Sequence, residues 1–427
     1  MDTDQRDTLS VDAVRLYHAL DALGEVGGQL DERSQLTGVT RIALSATDIM
    51  GRQLVMAWMR ELGLEIRVDE IGNVYGRRAG RDSTLAPVVT GSHIDSVPAG
   101  GRFDGCLGVL AGLEVMRTLD DHDIITERPL EVAFFTEEEG HRFGTDMLGS
   151  AVAAGRIALD EAYGKTDRDG VTVRDELAAN GFLGSEPARL AGDRRPHAYV
   201  ELHIEQGPIL RAADVDIGVV SGVQAICWQQ LEVRGRSAHA GTTPMALRRD
   251  AGVAAARINL EVREMIRSGR YPQLLGTVGV MAAAPGVINI VPGRCRLTVD
   301  LRSPHNDALV AAERDIHAFY DRVADEEGVE ITCEQLARTD HISFNRDIQA
   351  LIVQSSEERG LRHQAIVSGA GHDAQEMAAV CPTAMIFIPG EYDGISHNPR
   401  ELSTLEQCER GANVLLDVMR RLAERGV

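Results

Sequence analysis

The chain has 427 residues, with 44% hydrophobic and 26% charged, and carries no repeat or low-complexity segment, which excludes a fibre or long disorder. Its 44 basic and 65 acidic residues leave a net charge of −21, which argues against a nucleic-acid backbone or an anionic membrane as partner. Six cysteines without a C-x-x-C pair, no basic-then-apolar leader and no apolar run long enough to span a bilayer lead us to expect a reduced, cytoplasmic enzyme.

In chain order, apolar spacing predicts a helix over 11–25, through Leu16, Leu20 and Leu23, and a second over 45–62, through Met50, Leu54, Trp58 and Met59. Short strands follow at 65–68 and 74–76. A buried strand at 86–90 leads to an apolar helix opening at Asp104, and then to a buried strand at 130–136. Strand, helix, strand suggests a crossover unit with its chemistry at strand ends. Residues 165–198 read as a surface excursion with a helix near 173–180, and a strand returns at 197–203.

The pattern changes near Gly218. Strand 224–234, helix 245–267, strands 274–284 and 294–302, helix 305–326 and strand 329–335 give the β-α-β-β-α-β order of a ferredoxin-like unit. It reads as an insertion, so the expected domains are 1–217 with 338–427, and 218–337. A last apolar strand is expected at 384–388. The fold class is α/β in two domains.

Chemistry-bearing residues gather after the predicted strands. His93 and Asp95 stand two apart in Gly91-Ser92-His93-Ile94-Asp95-Ser96, where a carboxylate can fix an imidazole tautomer. Asp104 opens a helix with two oxygens free to bridge cations. Glu137, Glu138 and Glu139 end another strand, where three adjacent carboxylates repel one another unless a cation or solvent relieves them. His203 ends a strand, and His397 follows the strand at 384–388. Singly, each is more often a packed histidine, a solvated acid or a turn. Five such acceptors at the ends of separate strands, two carboxylates and three imidazoles, suit zinc, manganese, cobalt or nickel.

The stretches Thr40-Arg41-Ile42-Ala43-Leu44-Ser45, GSHIDSVPAGGRFDG (91–105), TEEEGHRFG (136–144), ELHIEQGP (201–208), SAHAGTTPM (237–245), NIVPG (289–293), DLR (300–302), SGAGHDA (368–374) and GISHNPRE (394–401) run through nearly the whole chain. Together they resemble the M20 metallopeptidase-type amidohydrolases. Within them the chain is similar to the branch of N-carbamoyl-L-amino-acid hydrolase, β-ureidopropionase and allantoate amidohydrolase. Having His203 where other M20 peptidases usually carry a carboxylate favours that branch.

The resemblance implies a zinc-peptidase-like catalytic domain with an inserted lid and dimerisation domain. It implies one divalent ion on His93, Asp104 and His203, and another on Asp104, Glu139 and His397. Glu138 would be the general base, and Asp95 would orient His93. Gln206, Asn289, Arg302 and His372 would contact substrate, Arg302 through its carboxylate. His239 would stabilise the oxyanion in the partner subunit's site of a homodimer. The implied reaction releases an amino acid, carbon dioxide and ammonia from an N-carbamoyl-L-amino acid. Allantoate or β-ureidopropionate hydrolysis, N-acyl amino acid or dipeptide hydrolysis, and a carboxylate-binding pseudoenzyme are the alternatives. The loop Pro389-Gly390-Glu391-Tyr392-Asp393 departs from the family pattern.

Overall fold

The computed structural model describes residues 9–32 and 35–424. The chain divides into two compact units: one runs to Ser221 and resumes at Ser343, and the other is Gly222–Ile342.

The first unit is built on a large sheet. Its neighbouring strands include, in order, Thr383–Ile388, Ala198–Ile204, Val88–His93 and Leu130–Phe135. These four run parallel. Every residue in them is buried. Parallel strands covered on both faces read as unbroken apolar runs, which is why the sequence marks them so clearly. Val74–Arg78 and Glu65–Val68 extend the sheet antiparallel beyond Leu130–Phe135. Helices Ala13–Glu25, Cys106–Asp121 and Leu405–Ala423 pack on one another, and the last two also pack on central strands. Side-chain caps start several of the helices: Ser45 caps Ala46–Glu61, and Thr404 with Gln407 forms a capping box on Leu405–Ala423.

The parallel strands all deliver their C-terminal ends to one edge. His93, His203, the segment after Phe135 and the segment after Ile388 therefore meet there.

The second unit runs Ala225–Arg234, Ala251–Arg267, Leu275–Thr277, Met281–Ala284, Arg294–Ser303, Asn306–Glu327 and Glu330–Thr339, with the two-residue strands Ala238–His239 and Ile290–Val291 between them. Helices Ala251–Arg267 and Asn306–Glu327 pack against an antiparallel sheet of Arg294–Ser303, Ala225–Arg234 and Glu330–Thr339. Burial alternates along Ala225–Arg234 and Arg294–Ser303, because one face lies against the helices. The core holds Leu231, Val233, Ile258, Leu297, Leu309, Ile316 and Val323.

Two elements differ from expectation. The single strand expected at 274–284 is two, Leu275–Thr277 and Met281–Ala284, both paired to Arg294–Ser303. The helix expected from 245 starts at Ala251, because Asp250 caps Gly252 and Val253 and residues 245–247 form a short 3-10 turn. The hairpin Gly28–Asp31 with Leu36–Val39 and the helices Arg346–Glu358 and Leu405–Ala423 have no counterpart in the sequence reading. No helix among the described residues is long and apolar enough to cross a membrane.

Candidate metal centre

Asp104 is the hub of the site. It precedes Gly105, which starts helix Cys106–Asp121 at φ +65. A Cβ at Gly105 would lie 2.4 Å from the His93 ring, so only glycine lets this helix start so close to that imidazole. Asp104 Oδ1 lies 3.4 Å from His93 Nε2 and 3.2 Å from His203 Nε2. Its other oxygen, Oδ2, lies 3.4 Å from His397 Nε2, which in turn is 3.3 Å from Glu139 Oε2. The structure thus brings together two donor groups, His93–Asp104–His203 and Asp104–Glu139–His397, sharing one carboxylate.

The donor chemistry fits divalent cations. His93 Nδ1 faces the Asp95 carbonyl oxygen at 2.9 Å, and His203 Nδ1 faces the Ile204 carbonyl oxygen at 2.8 Å. Each Nδ1 therefore donates, which leaves each Nε2, once deprotonated, as the atom beside the Asp104 carboxylate that would bind a cation. Atoms bound tetrahedrally to one cation at about 2.1 Å would stand about 3.4 Å apart, as these do.

The electrostatics agree. Burial pushes the His93 pKa down, yet Glu138, Asp104 and Asp95 outweigh it and hold it well above the usual imidazole range. Burial raises Asp104, but its three imidazoles hold it well below the usual carboxylate range. Contact with Asp104 lifts His397 to about 9, and burial and Asp104 push Glu139 up to about 7. A dication would displace such protons from the imidazoles.

Glu138 lies beside the first group, its Oε2 3.5 Å from His93 Nε2. Burial is the main cause that holds its pKa well above the carboxylate range, and Asp373 and Glu139 add to it against the pull of His93. Glu137 turns away and accepts the backbone N–H groups of Arg142 and Phe143.

Asp95 departs from its expected task. The carbonyl oxygen of Asp95 holds the His93 ring, while the carboxylate, 3.8 Å from Nδ1, accepts the backbone N–H groups of Glu138 and Glu139 at 3.3 Å each. The two-residue spacing does place Asp95 beside His93, but the chain turns so that the main chain meets the ring.

Gln206 Nε2 donates to Asp104 Oδ2 at 2.7 Å, while its Oε1 is buried at the same pocket without a hydrogen-bond partner among the described residues. His372 stacks edge-on against His203, with ring centroids 4.5 Å apart, and bonds Ser368 Oγ through Nε2. Burial, with His203 nearby, holds its pKa well below the usual imidazole range. A third cluster, Glu201–His203–His372, also has metal-ligand spacing. Glu201 is already committed to Ser92, Tyr199 and the Ala374 N–H, which makes this a hydrogen-bonded support.

Arg41 is fully buried and carries no carboxylate partner among the described residues. Its guanidinium donates to the carbonyls of Ile94, Leu23 and Val26 and to Cys106 Sγ. It ties the His93 loop to the helix that follows Asp104. Sequence reading missed this role, although the stretch around Arg41 stood out.

In the second unit His239 is exposed on a two-residue strand paired with Ile290–Val291, and Ala240 N–H donates to the Asn289 carbonyl oxygen. His239 and Asn289 are thus neighbours. Arg302 forms a double hydrogen bond with Asp300, and Trp228 lies 5.7 Å from its guanidinium carbon.

Residues 89–421 match the description peptidase family M20/M25/M40. The chain belongs to this family. It is 40% identical over 414 residues to an N-carbamoyl-L-amino-acid amidohydrolase of Rhizobium meliloti, with 97% of each chain covered. It is 33% identical over 387 residues to the allantoate amidohydrolase of Bacillus subtilis (strain 168), covering 90% of this chain and 93% of that one. The crystal structure of an amidase of the hydantoinase/carbamoylase family from Burkholderia multivorans matches with a TM-score of 0.93 and 43% identity, over 98% of this chain and 100% of that chain. The M20 chain is therefore an amidohydrolase, with candidate His, Asp and Glu groups for divalent metal.

Proposed function

We propose that this enzyme holds two divalent cations and hydrolyses the carbamoyl C–N bond of an N-carbamoyl-L-amino acid, giving the amino acid, carbon dioxide and ammonia. The observation that carries this reading is Asp104, whose two oxygens face two separate donor groups while Glu138 stands beside them uncommitted. His93, Asp104 and His203 would hold one ion, and Asp104, Glu139 and His397 the other; zinc, manganese, cobalt and nickel all suit them. When bound, the pair would act as Lewis acids toward the carbonyl and make water acidic enough to attack near neutral pH.

Glu138 would take the proton of the attacking water and return it to the leaving nitrogen, a shuttle for which its raised pKa is suited. The unpartnered Gln206 Oε1 would accept an N–H of the carbamoyl group, which an N-acetyl group does not offer there. Arg302, oriented by Asp300 through Nε and Nη2, would receive the substrate carboxylate at its guanidinium, with Asn289 at the same end. His239 would stabilise the oxyanion in the site of a partner subunit, and His372 would line the substrate pocket. The Gly222–Ile342 unit would serve as lid and dimerisation domain, and the enzyme would work in the cytoplasm as a homodimer.

The test is a substrate panel with added manganese, cobalt or zinc: N-carbamoyl-methionine, allantoate, β-ureidopropionate and N-acetyl-methionine. Turnover of the carbamoyl amino acid far above the rest supports the proposal. Ammonia release confined to allantoate would replace it with the allantoate reading that the Bacillus subtilis relative favours.

A further inference from the structure

Glu401 is buried behind Asp104, and the proposed reaction assigns it nothing. Its Oε1 accepts the backbone N–H of Phe103 at 2.9 Å and that of Asp104 at 3.1 Å. Its Oε2 lies 2.7 Å from the Ser396 hydroxyl, which is also 2.8 Å from Asp104 Oδ2. One carboxylate thus grips the backbone beneath the shared residue. Through one hydroxyl it also reaches the Asp104 oxygen that faces His397, not the oxygen that faces His93 and His203.

The two sides of the centre differ in how their imidazoles are held. The rings of His93 and His203 are each fixed by a main-chain carbonyl at Nδ1. His397 has no such bond among the described residues, its side chain is 49% exposed, and its backbone sits at φ 53. Its place depends on the segment around it. That segment is pinned by Ser396 against Glu401 and by the Glu401 N–H on the Asn398 carbonyl. The chain also leaves room for this arrangement: a Cβ at Gly101 would lie 2.0 Å from Glu401 Cδ and Oε1.

We propose that Glu401 is a positioning residue for the Asp104–Glu139–His397 cation site, acting through Ser396 on Asp104 Oδ2 and on the segment that carries His397. The proposal rests on the two-cation reading above. A general structural role would weaken both ions together; this role separates them.

The test loads wild type, Glu401→Ala, Glu401→Gln, Ser396→Ala and Gly101→Ala with cobalt(II). Bound cobalt is counted by elemental analysis and its affinities are measured by calorimetric titration. Wild type should bind two ions. Glu401→Ala and Gly101→Ala should keep one at wild-type affinity and bind the second about 100-fold more weakly, and Glu401→Gln and Ser396→Ala about tenfold more weakly. Gln keeps an acceptor for the two amides, and Ser396→Ala removes only a hydroxyl, so the test stands if Glu401→Ala does not fold. Equal weakening of both ions, or two ions at wild-type affinity in Ser396→Ala and Glu401→Gln, overturns the proposal. Fewer than two ions in wild type overturns the two-cation reading itself, and this proposal with it.

Discussion

The carboxylate of Asp95 holds the backbone of Glu138, receiving its N–H and that of Glu139 at 3.3 Å each. The general-base candidate and its neighbour are therefore aimed by a residue from a different strand end. Asp95→Ala keeps the carbonyl that orients His93, so cobalt bound at the His93 side should be unchanged. The turnover number should fall about tenfold, because Glu138 loses its anchor. Asp95→Asn, which keeps one acceptor oxygen, should fall less. Loss of the His93-side ion in Asp95→Ala would show that the side chain orients the ring after all.

Glu138→Gln should keep both ions and substrate affinity while the turnover number drops by about 100-fold or more, since the amide cannot carry the proton. Metal content and kinetics on the same sample check this. A variant that loses metal would make Glu138 a ligand. Glu137→Gln should change little, because Gln can still accept the Arg142 and Phe143 amides.

Arg302→Lys keeps the charge and loses the planar fork. Its kcat/KM on N-carbamoyl amino acids should fall about 100-fold, roughly the ~3 kcal/mol of a charge-assisted contact. Substrate analogues whose carboxylate is amidated should be poor with wild type and equally poor with the variant. Equal efficiency of the two proteins on the carboxylate substrates would place the carboxylate elsewhere.

If His239 serves the partner's site, Glu138→Gln and His239→Ala should each be nearly inactive alone. Mixed one to one and refolded, half the dimers would pair unlike chains, each with one intact site. Activity should return to about a quarter of wild type. If His239 serves its own site, mixing restores nothing.

Asp69 gives a stability test away from the centre. Burial pushes its pKa up to about 7, despite the N–H groups of Ile71 and Asn73 that it accepts. In the unfolded chain an aspartate titrates near 3.9. The native state therefore binds the proton more tightly, and its contribution is full below about pH 4 and is lost as pH rises through about 7. Asp69→Asn should flatten the fall in melting temperature between about pH 4 and 7. A fall as steep as that of wild type would mean that Asp69 is ionised throughout.

The groups around Asp104 were legible because each sits in a short motif at the end of an apolar run or in the loop that follows it, and the parallel strands deliver those motifs to one edge. Glu401 was not. It closes the stretch GISHNPRE (394–401) with no role legible there, and the space left at Gly101 lets it sit inside. The paired glycines Gly100 and Gly101 were the available signal. Asp95 was placed correctly beside His93, but spacing alone does not say whether its side chain or its main chain meets the ring. The strand at 274–284 was read as one because Leu275–Thr277 and Met281–Ala284 both run antiparallel to Arg294–Ser303 in the same direction, and only a one-residue shift of register between Thr277 and Met281 separates them.

Asp104 and Ser396 are 292 residues apart in sequence, with the whole Gly222–Ile342 unit spelled out between them. A ribosome therefore releases His93, Asp104, Glu139 and His203 long before His397. The three donors of the first group all precede residue 204, whereas the second group needs His397, which follows the last strand of the sheet. A cation at that second position would therefore need residues from both sides of the Gly222–Ile342 stretch, and its occupancy would report that these two parts of one unit have come together.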